Sequence, residues 1–116
     1  MAYNRIKFDV ADLLSVFDEL LPMSDEERGI YWFKSTRSDG ISITLSFSAY
    51  ELSANIIVRC DANVSCSSIE VKDCTLVRVL EPERNCLEIV GGDITSPKMR
   101  CLLCITSDNI LEVTIP

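Results

Sequence analysis

Two cysteines three residues apart, Cys101 and Cys104, come closest to a chemical motif in this chain, since that spacing is common in zinc and redox sites. Such sites sit on a turn or at a helix start, where both sulfurs converge. Met99 to Thr106 instead reads as a continuous strand. Side chains at i and i+3 of a strand point to opposite faces, so the pair would not chelate together. No second pair has similar spacing, because Cys60 and Cys66 lie six apart and Cys74 and Cys86 twelve. Zinc needs four convergent donors, and a redox thiol needs a setting that lowers its pKa. Neither a metal site nor a redox site is expected.

Histidine is absent from the chain. That removes the commonest general base, the His-dependent nucleophilic triads and the His-containing metal sites. Carboxylates and thiols remain, but no spacing marks a pair of them for acid–base work. Gly91-Gly92 is followed by Asp93 and Pro97 rather than by a lysine and a helix, so no phosphate loop or dinucleotide fingerprint is present. Asp61-x-Asn63-x-Ser65 opens like a calcium loop, yet Cys66 stands where the turn glycine is needed and Lys72 where the closing Glu belongs. The expectation is a protein with no catalytic residues and no cofactor.

Charge is the feature that remains. Between Asp9 and Glu27 lie seven acidic residues and no Lys or Arg, and the other residues carry eleven acids against eleven bases. The whole net charge of −7 therefore comes from one short segment. Asp9 and Asp12 suit the start of a helix, where the dipole favours anions, but Asp18 and Glu19 fall near its expected end, where it does not. A run of this kind is most simply a solvated face. Its sharper reading is a docking surface for a basic protein, made of Asp12, Asp18, Glu19, Asp25, Glu26 and Glu27, with encounter speeded at low salt. Nucleic acid is not expected as the partner, since phosphate binding needs clustered basic surface.

The elements that must position these groups can be read from periodicity. Val10, Leu13, Leu14, Phe17, Leu20 and Leu21 follow a 3.6-residue period, predicting one amphipathic N-terminal helix over residues 9–21, capped by Asp9 and stopped by Pro22. Ser24 and Glu27 have capping-box spacing, predicting a helical turn from Asp25 to Arg28 that Gly29 ends. Strands follow. Ile41, Ile43, Leu45, Phe47 and Ala49 alternate with Ser42, Thr44, Ser46 and Ser48, so one face is buried and the other is not. In the preceding run, Tyr31 and Phe33 share one face and Ile30, Trp32 and Lys34 the other. Further strands are predicted over 55–61, 68–72, 75–81, 86–90, 99–106 and 110–115, with a short one near Ile6 and Phe8. Tight turns are expected at Asp39-Gly40, over 81–85 and at 107–109, and a longer loop over Gly91 to Pro97.

Such short connections favour antiparallel neighbours. The fold class is therefore α+β, a mostly antiparallel sheet of about seven to nine strands by its pattern signals, curled or folded into a sandwich, in one domain spanning residues 1–116. Ordinary globular composition, with 47 % hydrophobic residues, lets a chain this size bury roughly two-thirds of its surface without staples. The cysteines are accordingly expected as small core-filling residues. No apolar run approaches the roughly 18–20 residues that span a bilayer, and no leader is evident, so a cytoplasmic location with no membrane contact is expected.

The function expected first is a non-catalytic interaction domain whose acidic helix region docks a basic protein. An analogy of charge and size, carried by no motif, is with small acidic proteins that neutralise a basic toxin or enzyme, such as bacterial immunity proteins. The alternative is a small-ligand-binding domain with a pocket between sheet and helix, lined by Trp32, Tyr31 or Tyr50. An enzyme comes third. A homodimer through a sheet edge is expected to be compatible with either of the first two, because a long sheet has edges to protect.

Overall fold

In the computed structural model, which describes residues 6–61, 64–81 and 85–115, period-two alternation builds almost everything. One short helix, α1 (Val10–Leu14), precedes nine strands: β1 (Glu19–Leu20), β2 (Ile30–Thr36), β3 (Ser42–Ser48), β4 (Ser53–Asp61), β5 (Val64–Lys72), β6 (Cys74–Glu81), β7 (Cys86–Asp93), β8 (Ser96–Cys104) and β9 (Leu111–Thr114). They form a five-stranded sheet in the order β1-β2-β3-β4-β5 and a four-stranded sheet in the order β6-β7-β8-β9. Every ladder is an antiparallel meander, as connections of a few residues demand. No helix among the described residues is long and apolar enough to cross a membrane.

Register places the large apolar groups together. In the first sheet Tyr31 faces Phe47 and Ala54, Phe33 faces Leu45 and Ile56, and Ser35 faces Ile43 and Val58. The apolar residues among these meet Val77, Leu87, Ile89, Cys101 and Leu103 of the second sheet in one buried cluster. Burying each large aliphatic or aromatic group fully contributes about 1.5–3 kcal/mol. Phe33, fully buried, is ringed by Phe17, Tyr31 and Phe47 at centroid distances of 5.7, 6.2 and 6.0 Å. The sandwich is bridged at one side by residues 6 and 7. Ile6 N–H donates to the Ala49 carbonyl of the first sheet, and Lys7 N–H donates to the Thr75 carbonyl of the second.

The helix is shorter than its periodicity predicts. Asp9 caps it by accepting from Asp12 N–H at 3.1 Å, but it ends at Leu14. Val16 and Phe17 still enter the core. Beyond them the chain is recruited by the open edge of β2, where Glu19 pairs with Lys34 and Leu20 with Phe33. A helix continuing past Phe17 would forgo that ladder and place Asp18 and Glu19 at the negative end of its dipole. The predicted helical turn at 25–28 is also corrected. Asp25 and Ile30 exchange two backbone hydrogen bonds, of 2.7 and 2.9 Å, across a hairpin turn. Ser24, instead of capping a helix, accepts from Trp32 N–H at 2.9 Å.

The loop predicted over Gly91 to Pro97 is a continuation of β7 and β8 around Ile94 and Thr95. Glycine is needed there for approach. A side chain on Gly91 would meet the Lys72 carbonyl at 2.8 Å, and Gly92, with φ 88°, donates to the Asp73 carbonyl at 2.8 Å. Those two residues bring β7 against the end of β5 and join the sheets. Asp93 then accepts from the backbone and hydroxyl of Thr95, which holds its carboxyl below the usual pKa. The turn predicted over 81–85 and the Asp61-x-Asn63-x-Ser65 stretch lie wholly or partly outside the described residues.

Two cysteines are core residues as expected, and others are not. Cys74 and Cys101 are fully buried free thiols. Burial pushes Cys74 up to about 12 and raises Cys101 as well. Cys86 and Cys104, by contrast, form a disulfide, with Cα atoms 4.2 Å apart, and Cys60 is disulfide-bonded too. Cys86 and Cys104 are direct partners in the β7–β8 ladder. Cys104 N–H is directed away from β7 and donates to the carbonyl of Ile110, the residue before β9, so the two cysteines form a non-hydrogen-bonded pair, whose Cα atoms approach to about 4.5 Å. Register creates the bridge.

Candidate interaction surface

The acidic segment folds into the border of the first sheet. Asp12 lies exposed in α1 while its neighbour Leu13 is buried in the core. Asp18 is bound to the fold, accepting from Thr36 N–H at the end of β2 at 3.0 Å. Glu19 follows on the edge strand, exposed and opposite Lys34. Leu21 N–H donates to the Trp32 carbonyl at 2.8 Å and carries the border toward the next turn. There Asp25 accepts from Arg28 N–H at 3.3 Å and pairs with its guanidinium at 3.6 Å. Glu26 and Glu27 stand exposed on that turn.

The six predicted residues therefore divide. Asp18 and Asp25 act within the fold, as acceptors that fix the border. Asp12, Glu19, Glu26 and Glu27 face solvent along helix, edge strand and hairpin turn, and do not share one helical face. Among them stand three exposed apolar side chains that sequence reasoning assigned otherwise or passed over: Leu14 at 42 %, Leu20 at 39 % and Met23 at 57 % exposure. The 3.6-residue period assigns Leu14 and Leu20 to the helix's buried stripe. Their period was genuine, but the helix ends before it could bury Leu20, and one turn is too short to bury both Leu13 and Leu14. An acidic border carrying apolar side chains can attract a cationic surface and then hold it by contact.

The pocket expected between sheet and helix is small. A hollow of about 200 Å³ between α1 and β6 is lined by Phe8, Asp12, Leu13, Leu76 and Val79 among others, whereas small-molecule sites usually enclose about 300–1,000 Å³. The aromatic residues proposed to line it are dispersed. Tyr31 is in the core and Tyr50 is exposed. Trp32 lines a groove of about 160 Å³ on the outer face of the first sheet, with Ile30, Ser46, Ser48 and Asn55. Among the described residues, no three His, Cys, Asp or Glu side chains cluster in a way that could hold a metal ion. Cys101 and Cys104 take opposite faces of β8, one in the core and the other in the disulfide, as their spacing predicts.

No family model matches the chain, and no curated protein does. A solved structure shares its fold. That structure is described as a contact-dependent growth inhibition toxin–immunity protein complex from Klebsiella pneumoniae 342. A chain of it superposes with a TM-score of 0.75, covering 99 % of this chain and 98 % of its own length at 13 % identity. At that identity the likeness is one of fold.

Proposed function

We propose that this chain is a non-catalytic interaction domain that docks a basic protein through its acidic border, in the manner of an immunity protein. The observation that carries the reading is where the net charge of −7 resides: in the segment containing Asp12, Glu19, Glu26 and Glu27, exposed beside Leu14, Leu20 and Met23. The fold likeness to a chain of a toxin–immunity complex supports a protein as the partner. Clustered acid would raise the encounter rate with a cationic surface and make it salt-dependent. The apolar side chains would then supply contacts that salt does not screen.

The test compares the native chain with the triple variant Glu19→Gln, Glu26→Lys, Glu27→Lys as baits in lysate of the source organism, at low and high salt, glutamine being used at position 19 because that residue stands opposite Lys34. All three side chains are exposed, so the fold is expected to persist, and circular dichroism verifies it. A basic protein held by the native chain at low salt and lost with the variant supports the reading. Equal retention by both baits rules out the acidic border as the docking surface. The ligand-binding alternative has less support, because its hollow is small and lacks the aromatic lining expected of it.

A further inference from the structure

Four sheet edges need protection, and the fold deals with three of them. β1 is only two residues long. β5 runs into the second sheet through the Gly92–Asp73 bond, and β6 is bridged by Lys7. β9 is the remaining edge: it carries no lysine, its ladder with β8 runs without a bulge, three of its four residues are exposed, and Glu112 is its one charge. We propose that two copies of this chain join through β9, antiparallel about a two-fold axis at Val113, so that two four-stranded sheets become one of eight.

The backbone sets which residues can pair. Cys104 N–H donates to the Ile110 carbonyl, which makes that pair a hydrogen-bonded one and fixes the alternation along β9. Glu112 and Thr114 therefore spend their backbone groups on Leu102 and Arg100 of β8, their register partners. Leu111 and Val113 direct theirs outward. Placing the axis at Val113 pairs Val113 with itself and Leu111 with Ile115 of the second copy, provided the strand extends by one residue. All outward groups then meet outward groups.

The side chains agree with that register. Leu111 and Val113 lie in the rows of Leu103 and Cys101, on the face turned to the first sheet. Val113 is nevertheless 38 % exposed and Ile115 73 %, so the first sheet does not cover this margin. Pairing would set the three apolar residues beside their counterparts. On the opposite face, Glu112 would stand across from Thr114 of the second copy, whose own neighbour is Arg100. A row of Arg, Thr and Glu results twice, with opposite charges on either side of a small residue. Shifting the axis to Glu112 would oppose two carboxylates, a pairing that destabilises sheets. The acid that gives the chain its net charge lies in residues 9–27 at the border of the other sheet.

Sedimentation equilibrium of the purified full chain, without any other protein, tests this independently of the basic-partner proposal. A concentration-dependent monomer–dimer equilibrium is expected. Val113→Pro should abolish the dimer while leaving the circular dichroism of the monomer intact, because that N–H makes no bond to β8. Crosslinking then tests the register. Hydrogen-bonded partners have Cα atoms about 5.5 Å apart, within disulfide range, so Val113→Cys should form covalent dimers on mild oxidation. Ile115→Cys should not, since the two copies of residue 115 would be about 13 Å apart along the strands. A monomer at every concentration overturns the proposal, as does crosslinking of Ile115→Cys equal to that of Val113→Cys.

Discussion

Raising the pH from 8.5 to 11 should destabilise this fold through Cys74. Its thiol is buried between the sheets, and burial raises its pKa from 9.0 to about 12. Above pH 9 the unfolded chain gives up this proton while the folded chain keeps it. The folded state then binds more protons, and stability falls as pH rises, by about 1.4 kcal/mol per unit. Two units above pH 9 the loss is about 3 kcal/mol, a large part of the roughly 5–15 kcal/mol that stabilises a typical domain. It levels off near the folded-state value. Cys101 is raised in the same direction and adds to the slope. Urea denaturation at a series of pH values, run on the native chain and on Cys74→Ala, isolates the effect. Cys74→Ala lowers stability at every pH by leaving a small cavity, but should lose stability less steeply above pH 9. Parallel pH dependences for the two proteins would refute the account of Cys74 as a thiol held neutral by burial.

Three other perturbations have expected sizes. Phe33→Ala empties the centre of the aromatic cluster and should cost about 3–5 kcal/mol in chemical denaturation. Arg37→Ala removes bonds of 3.3 and 2.9 Å to the Ile105 and Ser107 carbonyls, which tie the β2–β3 turn to the segment after β8. A loss of about 1.5–3 kcal/mol is expected for these charged hydrogen bonds, read in the same assay. Replacing Cys86 and Cys104 by Ala opens a loop between residues 18 apart. The chain-entropy model puts the loss at about 3 kcal/mol, and adding reductant to the native protein should cost at least as much, because it also opens the disulfide of Cys60.

How far the chain could be read in advance depended on the length of each periodic run. β3 was legible to within a residue, because Ile43, Leu45 and Phe47 alternate with small polar residues and no other element satisfies that pattern. The helix was overextended because Phe17 and Leu20 fit a 3.6-residue period, while the competing claim on Glu19 and Leu20 came from β2, distant in sequence until the sheet forms. The disulfide depended on register. Once β7 and β8 turn at Ile94 and Thr95 with one irregularity at Gly91 and Gly92, Cys86 must meet Cys104. Reading Gly91 to Pro97 as a loop concealed this. Of the candidate surface, sequence located the charge. It could not separate Asp18 and Asp25, which serve the fold, from Glu19, Glu26 and Glu27, nor foresee that Leu20 and Met23 stay exposed, since both depend on where the helix ends.

The most direct test of the docking account is amide hydrogen exchange on the complex with whichever basic protein the native chain retains, compared with the chain alone. Added protection concentrated between residues 12 and 28 is the predicted result. Protection confined to the outer face of the second sheet, with residues 12–28 exchanging as in the free chain, would contradict it.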